Sequence, residues 1–347
     1  MTGLPLLTSL SKGSGCGCKI QPAVLHEMLH GLRIRGGNEL LLVGNDLNDD
    51  CSVLDIDNGQ LLLQTVDFFT PLVNDPYVFG YAAAANSLGD IWAMGGRPLM
   101  ANAVFSWPLD VLPLEMARQV LQGGADCCAK AGIALSGGHS IEGQEPLFGL
   151  SVSGICSRAE LKTNAGAKPG DILFLTRPLG VGMLAAAHKK GISSPEQDQA
   201  LYHALQQLNA VGDKLGKLPA VHAMTDVTGF GLAGHLLEMC RAAHLQSWLL
   251  AESIPRIHEA EPLAASFVLP DNAMRNWNAF EKYITLENQS VFPWLVDPQT
   301  NGGLLIAADP ASESDVVQVL SQMGLCAEKI GGFTETGSDS EPRLIVQ

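Results

Sequence analysis

Two thiols and an ammonium group fall within four residues of one another in "GSGCGCKI": Cys16, Cys18 and Lys19. A thiolate is a soft nucleophile, and a neighbouring lysine both favours it and suits an anionic ligand. Glycines at 13, 15 and 17 leave this backbone free to move, and the stretch reads as too poor in side chains to pack. Cysteines this close make a strained disulfide, and the absence of a second, well-spaced Cys or His pair argues against zinc. Carboxylates are the second chemical signal. Asp49 and Asp50 lie in "NDLNDDCS", Asp67 in "QTVDFF", Asp90 in "NSLGDIWAMGG" and Asp226 in "MTDVTGFG". Asn86 and Asp90, four residues apart, share one helix face. Asp226 stands between an apolar strand and a glycine turn, where it would face a cleft. Such oxygens build hard-cation sites, but they also cap turns and helices, and spacing leaves both readings open.

Polar and glycine-rich loops add candidates for phosphate binding. "SGGHSIEG" presents Gly137, Gly138, His139 and Ser140 after a strand, as a loop with free backbone N–H groups or as a plain turn. "GFGLAG", Gly229 to Gly234, follows an apolar stretch and opens a helix, with Glu252 after the next strand. That matches a dinucleotide fingerprint, which a tight turn into a close-packed helix also explains. "PLGVGMLAAA" is a second glycine turn, and "DPQTNGG" is a polar loop leading into a strand. The chain has no Walker A loop, so any ATP use follows another design.

These residues need elements to place them. "ELLLVG", "QLLLQTVDFF" and "PLMANAVFSW" read as strands, and 79–94 and 114–131 as helices, the first stopped at Gly95-Gly96. "SRAELKTNAGAKPGD" is a boundary, after which come "DILFLT", a helix over 195–217, a helix after Gly231, "GGLLIAAD" and a last helix–strand pair from Ala311. With 347 residues, 46% of them hydrophobic and 16% charged, the chain suits two globular domains. No apolar run reaches the roughly 18 residues of a membrane span, and the first ten residues lack a secretory pattern. A cytoplasmic protein with reduced cysteines is expected, with Cys127, Cys128 and Cys240 in the core. A net charge of −15 argues against nucleic acid as a partner, while a small anion would need local cations or Mg²⁺.

Taken in order, "GSGCGCKI", "NDLNDDCSV", "TVDFFTPLV", "NSLGDIWAMGGRP", "LSGGHSIEGQEPLFGLSVSGI", "MTDVTGFGLAGH" and "DPQTNGG" resemble the selenophosphate synthetase (selenide, water dikinase) family, from about Gly13 to Gly303. The resemblance implies a two-domain aminoimidazole ribonucleotide synthetase-like fold, α/β and α+β, with mixed β-sheets packed by helices. It implies a glycine-rich mobile segment over 1–48, an ATP-binding and dimerisation domain over 49–160, and an α+β domain over 161–347. The implied reaction converts ATP, selenide and water to selenophosphate, AMP and phosphate. By position, the catalytic residues fall on Cys16 and Lys19 and the Mg²⁺ ligands on Asp50, Asp90 and Asp226. Nucleotide contacts fall on Lys19, Leu47, Asn48, Asp49, Asp67 and Asp90, with Gly138, His139 and Ser140 supplied by the partner of a homodimer. A selenium-delivery protein is a further partner to expect. Cys51 and Asn301 depart from the family pattern, where a small residue and a serine are usual. Other readings predict different chemistry: a superfamily relative shares the aspartates without "GCGCK", a nicotinamide oxidoreductase makes no AMP, and a selenium or metal carrier consumes no ATP.

Overall fold

Along "QLLLQTVDFF", Leu61, Leu63, Thr65 and Phe69 are buried while Gln60, Gln64, Val66 and Phe68 are exposed, the period-two pattern of a strand with one covered face. The computed structural model describes residues 5–11, 13, 15–20, 22–29, 39–44, 47–336 and 343–347. The expected mobile segment therefore lies partly outside the described residues. Leu41–Val43 (β1), Ser52–Asp55 (β2), Gln60–Phe69 (β3), Arg97–Trp107 (β4), Leu135–Glu142 (β5) and Leu147–Ser157 (β6) form a sheet in the order β1-β2-β3-β6-β4-β5. All its pairs are antiparallel except β4 with β5. After Pro22–Leu29 (α1), the helices Pro76–Ala93 (α2) and Leu114–Lys130 (α3) pack together, with α2 against the inner faces of β3 and β6.

Asp75 caps α2 by accepting from the Val78 N–H, and Pro76 supplies a helical φ at its first turn. Ala82–Ala85 are wholly buried, because α2 is covered on both sides. One side is the first sheet with α3. The other is the second half of the chain.

That half contains Ile172–Leu175 (β7), Val221–Asp226 (β8), Leu245–Leu249 (β9), Ile284–Leu286 (β10), Leu304–Ala308 (β11), Lys329–Glu335 (β12) and Leu344–Val346 (β13). They form a mixed sheet ordered β10-β13-β9-β12-β7-β11-β8. Helices Val181–Lys189 (α4), Pro195–Leu205 (α5), Val211–Gly216 (α6) and Gly231–Ala243 (α7) accompany it. One apolar core runs from Leu61 on β3 through Leu88 on α2 to Leu237 on α7, and it includes Cys127, Cys128 and Cys240 as expected. Among the described residues no helix is long and apolar enough to cross a membrane.

Three sequence expectations give way to packing. The single helix over 195–217 is two, α5 and α6. The Asn301 side-chain amide donates to the Leu205 and Gln207 carbonyls, satisfying acceptors that would otherwise need a continuing helix. "SGGHSIEG" is an extended edge strand, β5, because it pairs in parallel with β4 from Ala101 to Trp107. Lastly, the thiol stretch does pack: Gly15–Cys18 make a 3₁₀ turn, and Cys16 is 1% exposed.

Candidate active site

The strand and helix periods place the first part of the site. Two residues of β3 span about 6.8 Å and four residues of α2 about 6 Å, so a pair on one matches a pair on the other. Thr65 Oγ1 donates to Asp90 Oδ2 at 2.5 Å, and Asn86 Nδ2 donates to Asp67 Oδ2 at 2.5 Å. Asn86 is fully buried, and its Oδ1 accepts from the Cys16 thiol at 3.0 Å and from the Asn301 N–H at 2.8 Å. One amide thus joins the thiol, a carboxylate and the "DPQTNGG" loop.

Backbone contacts fix the thiol further. The Gly15 N–H donates to the Thr70 carbonyl at 3.1 Å, and the Cys16 N–H to Thr300 Oγ1 at 3.0 Å. Lys19 follows on the same turn, its ammonium 3.7 Å from Asp67 Oδ2. Asp67 holds the Lys19 pKa above the ordinary lysine value against the opposing effect of burial, with smaller help from Cys16, Asp90 and Asp226. The Cys18 side chain lies outside the described residues.

"GFGLAG" finds its use here. A Cβ on Gly229 would lie 2.6 Å from the Cys16 carbonyl and 3.3 Å from the Lys19 side chain, so this glycine makes room for the thiol turn. The dinucleotide reading fails on topology. That motif needs neighbouring parallel strands around its helix, whereas β12, β7 and β11 separate β8 from β9.

Asp50, Asp90 and Asp226 each present a carboxylate oxygen, all within 4.8 Å of one another. Burial, and then the other carboxylates, push Asp50 and Asp90 well above the usual range. Burial also raises Asp226, against His235, Lys19 and Arg177. Asp50 Oδ1 accepts from Thr225, but among the described residues Asp50 Oδ2 and Asp226 Oδ2 are buried without a hydrogen-bond partner. Unpartnered oxygens in a convergent acidic set fit a hard divalent cation. The approach of Asp226 to α2 requires Gly89, where a Cβ would sit 2.7 Å from Asp226 Oδ2.

The 47–49 loop is held from the other half of the chain. Asp49 Oδ1 accepts from the Asn164 N–H at 2.7 Å, and burial raises its pKa to about 6 despite that bond. Asn164 Nδ2 reaches the carbonyls of Leu47 and Asn48, and Asn48 donates to Glu238. Leu47 is exposed. Cys51, next to Asp50, is buried.

The structure therefore gathers Cys16, Lys19, Asp67, Asp90, Asp50 and Asp226. It does not bring Gly138, His139 and Ser140 to them: β5 lies three strands from β3, about 14 Å across the sheet. Sequence reasoning missed Thr65, Thr300, Asn164 and Glu238, and it placed Asn86 on the right face without giving it a role. The i, i+4 spacing to Asp90 was the available signal for Asn86, whereas the others are revealed only by contacts distant in sequence.

Residues 48–156 match the AIR synthase related protein, N-terminal domain, and residues 168–341 its C-terminal domain. Selenide, water dikinase of Aeromonas hydrophila is 45% identical over 325 residues, 94% of this chain and 94% of that protein. The chain belongs to the selenide, water dikinase family. The Yersinia pseudotuberculosis member of this family is 45% identical over 339 residues, 98% of this chain and 97% of that one. Beyond the family, the fold is shared with thiamine-monophosphate kinase from Stenotrophomonas maltophilia (TM-score 0.67, 18% identity, covering 89% of this chain and 92% of that one). Hydrogenase maturation protein HypE in complex with ATP has it too (TM-score 0.65, 17% identity, covering 99% and 94%). The two-domain, mixed-sheet architecture expected for the family is thus the one observed.

Proposed function

We propose that this chain makes selenophosphate, AMP and phosphate from ATP, selenide and water, with Cys16 handling selenium and Lys19 the phosphate charge. The observation that carries this reading is the convergence of the thiol, Asp67 and Lys19 beside the Asp50–Asp90–Asp226 set. Of the motifs that carry the family resemblance, those holding Cys16, Lys19, Asp50, Asp67, Asp90 and Asp226 each contribute a side chain to one place, while "SGGHSIEG" does not. Asp50, Asp90 and Asp226 would hold Mg²⁺. Bound Mg²⁺ supplies charge neutralisation of the triphosphate and of the transferred phosphoryl group. Lys19 adds a fixed positive charge on the same side as Cys16, and Asp67 keeps that ammonium protonated. Asn86 Oδ1 accepts from the Cys16 sulfur at 3.0 Å and so fixes its place. Asn48 and Asp49, with Leu47, form the adjoining nucleotide loop, fastened by Asn164 and Glu238.

The reading extends to the whole protein. Residues 49–160 would bind ATP and form a homodimer, and 161–347 would form the second domain. Val66 and Phe68 on β3, Met100 on β4 and Ile141 on β5 are exposed apolar residues of the first sheet, which supports pairing with a second copy. The exposed Gly138–Ser140 strand would then reach the partner's site. A reduced thiol and a reduced selenium substrate suit the cytoplasm, where a selenium-delivery protein could meet the chain. The test is nucleotide and phosphorus analysis of the purified protein with ATP, Mg²⁺ and selenide. AMP together with a selenium–phosphorus species is expected. ADP as the nucleotide product would instead assign the chain to another ATP-using activity of the superfamily.

A further inference from the structure

α4 touches the frame around Cys16 at both of its ends. At its N-terminus the Gly180 and Val181 N–H groups donate to Gln299 Oε1 at 3.3 and 3.2 Å, and the Gly182 N–H to Asp297 Oδ2 at 3.1 Å. Those bonds fasten the loop that presents Thr300 to the Cys16 N–H. At the C-terminus of α4, Lys189 Nζ donates to the carbonyls of Ser11 and Gly13 at 3.0 and 2.9 Å. His188, next to it, accepts at Nε2 from the Asn74 N–H at 3.3 Å and meets Asp198 at Nδ1. Asn74 Oδ1 in turn accepts from both the backbone and the hydroxyl of Thr8.

Among the described residues the Lys189 ammonium forms no ion pair with a carboxylate, and its partners are those two backbone carbonyls. A cation at a helix C-terminus is favourably placed by the helix dipole, and bonds from an ammonium to carbonyls are stronger than neutral ones. The carbonyls lie three and five residues before Cys16, whose own N–H is fixed from the opposite end of the same helix. We propose that Lys189 is a positioning residue: by holding the chain at Ser11 and Gly13 it sets the place of the Cys16 sulfur beside Asn86. This rests on the role of Cys16 proposed above. It adds that α4, a rigid element which itself contributes no atom to the site, fixes the thiol's register against Asn86.

Three full-length proteins decide the matter: the parent chain, Lys189→Met and Lys189→Arg. Cys16 alkylation by iodoacetamide, followed on its own peptide by mass spectrometry without substrates, reads the placement of the thiol directly. Loss of two charge-assisted bonds should raise that rate about tenfold in Lys189→Met and lower kcat for selenide-dependent AMP formation by a similar factor, with the melting temperature little changed. Lys189→Arg, which keeps the charge and the donors, should restore both. A parental alkylation rate in a folded Lys189→Met protein overturns the proposal, and so does an equal defect in the Arg and Met proteins. Because alkylation needs no turnover, it reports on the clamp even if the parent chain makes no AMP, an outcome that would overturn only the proposed reaction.

Discussion

The thiol and the acidic set make separate demands that single substitutions can distinguish. Cys16→Ser removes the sulfur while leaving a donor for Asn86, and Lys19→Gln removes the charge beside Asp67. Each should abolish selenide-dependent AMP formation in a folded protein, whereas Cys18→Ser should retain substantial activity. A side-by-side assay, with ATP binding measured separately, checks this, and an active Cys16→Ser protein would end the proposed selenium role. Thr65 offers a test of the cation site from one step away. It orients Asp90 by a 2.5 Å hydrogen bond, so the near-isosteric Thr65→Val should weaken Mg²⁺ binding about tenfold. The Mg²⁺-dependent rise in melting temperature measures that affinity without turnover, and it should vanish in Asp226→Asn. An unaltered Mg²⁺ response in Asp226→Asn would remove Asp226 from the ligand set.

Among the elements, α2 and the "DPQTNGG" loop carry most of the constraint. α2 supplies Asn86, Gly89 and Asp90 from one stretch, so its position sets the thiol and the acidic set together. The loop begins at Asp297, fully buried, whose pKa burial raises to about 7 against hydrogen bonds from Gln299, Gly182 and Met183. Its ordinary value is 3.8, so between those values the folded protein holds a proton that the unfolded chain has released. The native state then binds more protons, and this group's contribution to stability falls as pH rises from about 4 to about 7. The limiting slope for one proton is about 1.4 kcal/mol per pH unit. Asp297→Asn keeps the acceptor for the Gly182 N–H and should flatten the pH dependence relative to the parent chain. Urea unfolding of both proteins at pH 5 and pH 7.5 measures the difference. Parallel pH dependences would show that Asp297 is ionised throughout.

For the whole molecule the question is how many copies make a site. Light scattering should give twice the 36.7 kDa chain mass. Phe68→Glu, which puts a charge on the open face of the first sheet, should give the single-chain mass with the fold kept. If each site uses β5 of the partner, dimers mixed from inactive His139→Ala and Asp50→Asn chains should regain part of the parental activity. Failure to regain any after subunit exchange would count against a shared site.

At each scale the sequence determined the local alternatives, and tertiary contact chose among them. Alternation in "QLLLQTVDFF" already requires Asp67 to share the buried face of Thr65, and the i, i+4 spacing requires Asn86 to share a face with Asp90. The family motifs pointed to Cys16, Lys19, Asp50, Asp67, Asp90 and Asp226, which the fold brings together. Other features depended on partners far along the chain. Asn301 ended α5 early, β4 drew "SGGHSIEG" into a strand, and Gly229 served the thiol turn instead of a dinucleotide. The convergence of Asp50, Asp90 and Asp226 likewise joins positions up to 176 apart, from just before β2 through α2 to the end of β8. Periodicity reports which face a residue occupies within its own element. Only packing one half of the chain against the other decides what that face meets.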